Sequence, residues 1–247
     1  MTLNIWEATM KDALFTAKNK PVLIIAGASG LVGSSCLDIA LNEHALEHIF
    51  TLSRKPLAPE SLAATNGKLS QLIDAELNIK HWESSNSRPT LGIIALGTTL
   101  KQAGSKQGLE KVDFELVCHV AQQMKLLGVE RLAVVSSYGA HPRSRSHYLR
   151  CKGRMEETIR QIGFSHVTFV RPGPLVGKRT ITRPDEVLLQ KFMSVGRYLL
   201  FGKLRNLVPI SAEAVARSML YSLFDTDSKH VTVLDSIAMR HMLEKYR

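Results

Sequence analysis

A run of five apolar residues, Val22 to Ala26, opens directly into Gly27-Ala28-Ser29-Gly30-Leu31-Val32-Gly33, and a helical stretch follows from about Leu31 to Asn42. A strand whose every residue is apolar is buried on both faces, which puts it at the centre of a parallel sheet. Glycines at a spacing of three and three allow a tight turn, let backbone amides approach a pyrophosphate, and let the following helix pack closely on the strand. The helix start then faces the negative charge. Gly27, Gly30 and Gly33 thus mark a candidate dinucleotide loop.

Downstream, short apolar runs alternate with helical stretches, the pattern of a parallel sheet covered by helices. Strands are predicted at Ile49 to Leu52, near Leu77 to Ile79, and at Leu91 to Leu96, Arg131 to Ser136, His166 to Val170 and Val231 to Leu234. Helices are predicted at Val112 to Leu127, stopped by Gly128, at Tyr148 to Ile162, stopped by Gly163, at Glu186 to Phe201, and at Ser211 to Phe224 with Ser211 as cap. A closing helix follows the last strand. The expected fold class is α/β, a Rossmann-type doubly wound parallel sheet over residues 21–247, with a small substrate lobe at about 174–206. Residues 1–20 read as an N-terminal helical extension, on which Trp6, Met10, Leu14 and Ala17 form a stripe that packs on the domain or on a second copy.

Composition narrows the class further. At 247 residues, 45% hydrophobic and 22% charged, the chain is long and apolar enough for one large domain with a sizeable core. Cys36, Cys118 and Cys151 form no close pair, so neither a disulfide framework nor a structural metal is expected and a reducing, cytoplasmic setting is the simplest reading. No apolar run is long enough to span a membrane, and the first twenty residues do not read as a signal. A net charge of +10 attracts anions without choosing among phosphates, nucleic acid and anionic surfaces.

The second strand ends in Leu52-Ser53-Arg54-Lys55, where a coenzyme with a free ribose 2′-hydroxyl usually meets an acid. Two cations there suit a 2′-phosphate, so NADP (NADPH) is favoured over NAD. Leu96, Gly97, Thr98 and Thr99 close another strand at the same sheet edge, where small residues permit close approach to the dinucleotide. Tyr148 and Lys152 are the one tyrosine and lysine four apart in that order, and so share a helix face. The strand before that helix ends in Ser136-Ser137. A lysine ammonium beside a tyrosine favours the phenolate, so Tyr148 can exchange a proton with a carbonyl or alcohol while a nicotinamide exchanges a hydride. One serine hydroxyl would hold the substrate oxygen.

The glycine loop, the serine pair, the Tyr-x-x-x-Lys helix and the strand ending Arg171-Pro172-Gly173-Pro174-Leu175 together resemble the short-chain dehydrogenase/reductase superfamily, over about Val22 to Gly177. More narrowly, Leu96-Gly97-Thr98-Thr99, Ser136-Ser137-Tyr138-Gly139-Ala140 and Tyr148-Leu149-Arg150-Cys151-Lys152-Gly153 look like its atypical branch, which holds Tat-interacting-protein-like reductases and bacterial nucleoside-diphosphate-sugar epimerase-like proteins. The resemblance implies a coenzyme on Gly27, Ser29, Gly30, Leu31, Val32 and Arg54, with Arg171, Pro172 and Leu175 beside it, Tyr148 as acid/base and Lys152 on the nicotinamide ribose. Ser137 matches the second serine of the family pair, while Ser136 stays open. Relatives often add an asparagine on the preceding helix to complete a proton relay, and Val112 to Leu127 contains none.

The first functional expectation is therefore an NADP-dependent oxidoreductase acting on a small carbonyl, alcohol or nucleotide-sugar-like substrate. The alternatives are an NADPH-binding regulatory or redox-sensing module that works through a protein partner, and an epimerase or dehydratase using the coenzyme transiently. The roughly seventy residues after Pro174 are few for a sugar-nucleotide substrate domain. Arg143, Arg145, Arg150, Lys152 and Arg154 gather near the presumed site, which suits a solvated face or an anionic substrate. Few aromatics and no binding motif accompany them, so nucleic acid is not the expected partner. The nine histidines show no ligand pattern, and Cys151 is assigned to packing.

Overall fold

The apolar run becomes the central strand. In the computed structural model, which describes residues 20–58, 67–83, 85–176, 202–225 and 229–245, β1 (Val22–Ala26) is buried at all five positions. It lies between β2 (His48–Ser53) and β4 (Leu91–Ile94), both parallel to it. With β3 (Leu69–Ile73), β5 (Arg131–Val135), β6 (His166–Arg171) and β9 (Val231–Asp235), these strands form a seven-stranded parallel sheet ordered β3-β2-β1-β4-β5-β6-β9. The order reverses direction between β1 and β4, so a crevice opens at the carboxyl ends of those two strands, where open α/β sheets bind ligands.

Strand alternation divides the core between the two sheet faces. Leu23 and Ile25 pack with α1 (Leu31–Asn42), α6 (Ala212–Phe224) and α7 (Ser236–Lys245) through Cys36, Leu37, Val215, Met219 and Met239. Val22, Ile24 and Ala26 pack on the other face with α4 (Val117–Leu127) and α5 (His147–Arg160), through Val120, Met124, Met155 and Ile159. Ser211 caps α6 as predicted, its side chain accepting the Ala214 amide. Cys36, Cys118 and Cys151 are free and buried.

Two expectations are corrected. The third strand is Leu69–Ile73 rather than Leu77 to Ile79. As an edge strand only half-buried, it carries Ser70 and Gln71 and shows no apolar run. Leu77 is buried but sits at φ 60 in a turn held by Asp74, whose carboxylate accepts the Glu76 and Asn78 amides. The helix predicted from Val112 starts earlier and is broken in pitch: α2 (Leu100–Ala103) and α3 (Lys106–Glu110) lead into a π-helical turn, Lys111–Leu116, before α4. Only the entry to the small lobe falls on described residues, β7 (Leu175–Val176) pairing in parallel with β8 (Ile210–Ser211). The N-terminal stripe and the helix expected at Glu186 to Phe201 lie outside the described residues.

Candidate functional site

The glycine loop turns at the end of β1 with Gly27 in the left-handed region, φ 91. A Cβ on Gly33 would lie 2.0 Å from the Gly27 carbonyl oxygen, so α1 rests directly on loop backbone. Gly30 caps α1 with no side chain, leaving the helix start bare and exposed. This is the cradle a pyrophosphate requires, and a side chain at Gly27 would collide with the backbone of Ala95 across the crevice. Ser29 is exposed on the loop and Leu31 half-buried, whereas the Val32 side chain belongs to the core. Replacing Gly33 with Ala forces backbone apart, a cost a flexible neighbour cannot absorb. We expect Gly33→Ala to be destabilised by about 1–2 kcal/mol despite the helix propensity gained, and to bind nucleotide more weakly. Unchanged thermal melting would show that the loop relaxes freely.

Beside the loop, Leu52 pairs with Ala26, and the chain leaves β2 through Ser53, Arg54 and Lys55. Ser53 is buried and donates its hydroxyl to the Lys55 carbonyl at 2.8 Å, shaping the turn. Arg54 and Lys55 are exposed. Across the switch point, Leu96 and Thr98 are half-buried and Gly97 is open, while Thr99 caps α2 by accepting the Gln102 amide.

Ser146 caps α5, which carries Tyr148 and Lys152 in its first two turns. Tyr148 is half-buried, and Lys152 is only 2% exposed. Lys152 Nζ donates to the Val135 carbonyl at 3.2 Å and meets Asp113 Oδ1 at 2.9 Å. Asp113 Oδ2 accepts the Thr98 amide at 2.9 Å. Burial pulls the Lys152 pKa down, but the Asp113 charge, Tyr148, the hydrogen bond to Asp113 and Glu156 more than offset it and hold it above the ordinary lysine value.

The two serines separate. Ser136 is buried and donates its hydroxyl to Glu156 Oε1 at 2.6 Å, and Arg171 Nε and Nη2 grip the same carboxylate at 2.8 and 2.6 Å. The side chains of Ser136 and Arg171, expected at the coenzyme, are thus committed to a buried carboxylate. Ser137 lies outside that network and half-buried. Pro172 is buried, its carbonyl accepting the Tyr138 amide, and Leu175 is held in β7.

Asp113 and Glu156 went unread in the sequence, although a signal for the first exists. Leu109, Asp113 and Val117 recur at four-residue spacing on the buried stripe, so an acid stands where the pattern demands an apolar residue. The basic cluster also divides. Arg150 holds the Ser144 carbonyl, Arg154 pairs with Glu110, and Lys152 is buried, which leaves Arg143 and Arg145 exposed on the loop before α5.

One histidine does join a cluster, contrary to expectation: ligand atoms of Glu110, His147 and Cys151 lie within 4.8 Å of one another. All three already have partners. His147 Nε2 is 3.1 Å from the Lys106 carbonyl, Arg150 Nη2 faces its Nδ1 at 3.2 Å, and Arg154 neutralises Glu110. The two guanidinium groups oppose a cation there. Burial, then Glu110, pushes the Cys151 thiol up, which disfavours the thiolate that a metal or an oxidant needs.

Comparison with known proteins bears on the family and the fold. The HIM1 family model matches residues 70–204. Protein HTATIP2 of Rattus norvegicus is 30% identical over 234 residues, covering 92% of this chain and 91% of its own. Protein FMP52, mitochondrial, of Saccharomyces cerevisiae is 35% identical over 164 residues, covering 64% of this chain and 67% of its own. Among solved structures, the UDP-Glc/GlcNAc 4-epimerase from Campylobacter jejuni superposes with a TM-score of 0.62 at 14% identity, covering 91% of this chain and 83% of that one, a likeness of fold. The relatives correct the cytoplasmic expectation, because several of them are named as mitochondrial proteins. No helix among the described residues is long and apolar enough to cross a membrane. The family match over more than half of the sequence, joined to a relative aligned along nearly all of it, places the chain in the HIM1 family, with the NAD(P)-binding Rossmann fold of the atypical short-chain dehydrogenase/reductases.

Proposed function

We propose that this protein is an NADP-dependent oxidoreductase that reduces a small carbonyl substrate, or oxidises the matching alcohol. The observation that carries the reading is the buried Lys152 one helical turn from half-buried Tyr148, at the sheet edge where the glycine loop opens. When bound, the reduced coenzyme supplies a hydride to the carbonyl carbon and leaves oxidised. Tyr148 gives its hydroxyl proton to the carbonyl oxygen, which becomes the alcohol, and takes a proton back from solvent. Ser137 hydrogen-bonds that oxygen, and Lys152 holds the nicotinamide ribose. Exposed Arg143 and Arg145 on the loop before α5 suit a substrate carrying negative charge.

Consumption of NADPH across a panel of aldehydes, ketones, quinones and sugar nucleotides tests the reading, and the absence of turnover by a protein that binds NADPH would refute it. Coenzyme choice rests on Arg54 and Lys55, exposed beyond the end of β2. A guanidinium on a 2′-phosphate forms charge-assisted hydrogen bonds worth about 1.5–3 kcal/mol. NADPH should therefore bind at least about tenfold tighter than NADH. Arg54→Ala should erase most of that preference and leave NADH affinity nearly unchanged, with Lys55 masking part of the loss. Calorimetric titration of both nucleotides decides: equal native affinities, or an equal fall for both in the variant, would show the assignment wrong.

A further inference from the structure

Proton transfer and ribose binding by Tyr148 and Lys152 do not explain why a carboxylate is buried on a π-helical turn. Asp113 is 1% exposed. A buried ion pair is rarely a gain in stability over apolar residues of equal volume. A π-helical turn is an uncommon local geometry, often found at functional sites. Two donors from different walls of the crevice converge on this carboxylate: Lys152 Nζ from α5 on Oδ1, and the Thr98 amide from the loop after β4 on Oδ2, each at 2.9 Å. An amide side chain offers only one acceptor oxygen and would turn its NH₂ towards one of the two donors.

We propose that Asp113 is a positioning residue that joins the two walls, one oxygen holding Lys152 Nζ and the other the Thr98 amide, so that the lysine and the Leu96 to Thr99 loop meet the coenzyme ribose as one prebuilt surface. This rests on the dinucleotide reading above. The Val135 carbonyl accepts an Nζ proton at 3.2 Å, fixing the ammonium from the sheet side. The charge on Lys152 depends on the same contact. Tyr148 and Glu156 face it from its own helix, the Val135 carbonyl from β5, and Asp113 from the π-helical turn. Glu156 is bound by Arg160 and Arg171, Glu110 by Arg154, and the Cys151 thiol is pushed towards its neutral form. Asp113 is thus the carboxylate in direct contact with Nζ. Without it burial prevails, and Lys152 loses its proton as the pH rises, at a lower pH than in the native protein.

The experiment follows Lys152 by carbon-13 NMR of lysine-labelled protein, its signal assigned by its loss in Lys152→Met, alongside calorimetric titration with NADPH between about pH 6 and pH 9. In the native protein the Lys152 signal should stay in its charged position beyond the ordinary lysine value of 10.5. In Asp113→Asn it should titrate lower by at least about one pH unit. Native affinity for NADPH should stay flat with pH, that of Asp113→Asn should fall towards the alkaline end in step with the loss of the Lys152 charge read by NMR, and Asp113→Asn should add no loss in a Lys152→Met background. A native Lys152 that titrates before the surface lysines overturns the proposal without requiring any variant to fold. A native protein that binds NADPH while Asp113→Asn binds it with the same pH profile overturns the role of Asp113 alone. A native protein that binds neither NADPH nor NADH overturns the dinucleotide reading and, with it, the ligand named here.

Discussion

Replacing Tyr148 with phenylalanine is expected to reduce carbonyl turnover by about 10²- to 10⁴-fold, the range associated with a positioned general acid, while changing NADPH affinity by less than about twofold. The substitution removes one hydroxyl and little else. Helix α5 keeps its Ser146 cap, and Lys152 keeps Asp113 and the Val135 carbonyl, so the groups assigned to the ribose stay in place. Steady-state rates on whichever substrate the panel yields, paired with calorimetry, separate the two effects. A matching loss of affinity would make Tyr148 a binding residue, and full activity in the variant would remove it from the chemistry.

What the sequence made legible is what short stretches of chain decide. The glycine loop follows from one strand, one turn and one helix start, and Tyr148 and Lys152 share a face because four residues make about one helical turn. Two of the missed features depend on partners distant in sequence. Ser136 looked interchangeable with Ser137 until Glu156, twenty positions away, claimed its hydroxyl. Asp113 hides because an acid in an apolar stripe names no partner, and its partner Lys152 stands on another helix. The third strand was misplaced because an edge strand has one face to satisfy and tolerates polar residues, while buried Leu77 mimics a strand from within a turn. Location failed for a separate reason: few cysteines suit a mitochondrial protein as well as a cytoplasmic one, so composition could not choose between them.

The largest expected loss of stability is at Glu156. Its carboxylate is fully buried and accepts four hydrogen bonds, from Ser136 Oγ and Arg171 Nε on Oε1 and from Arg171 Nη2 and Arg160 Nη2 on Oε2. That is the full acceptor capacity of two oxygens, and it ties α5 to the carboxyl ends of β5 and β6, the strands that frame the serine pair. Glutamine keeps the volume but loses the charge and aims an NH₂ at one guanidinium. Breaking a buried pair costs about 3–5 kcal/mol when the stranded partner cannot reach water. Arg171 and Arg160 are 25% and 37% exposed at the side chain and partly rehydrate, and Arg160 also lies over the Phe169 ring. The discounted loss for Glu156→Gln is about 2–4 kcal/mol, a fall in Tm of roughly 5–15 °C for a domain of this size. Ser136→Ala removes one neutral donor and should cost about 1–2 kcal/mol. Urea and thermal melts of both variants test the ranking. A Glu156→Gln protein as stable as the native one, or less affected than Ser136→Ala, would mean that water serves these guanidinium groups as well as the carboxylate does.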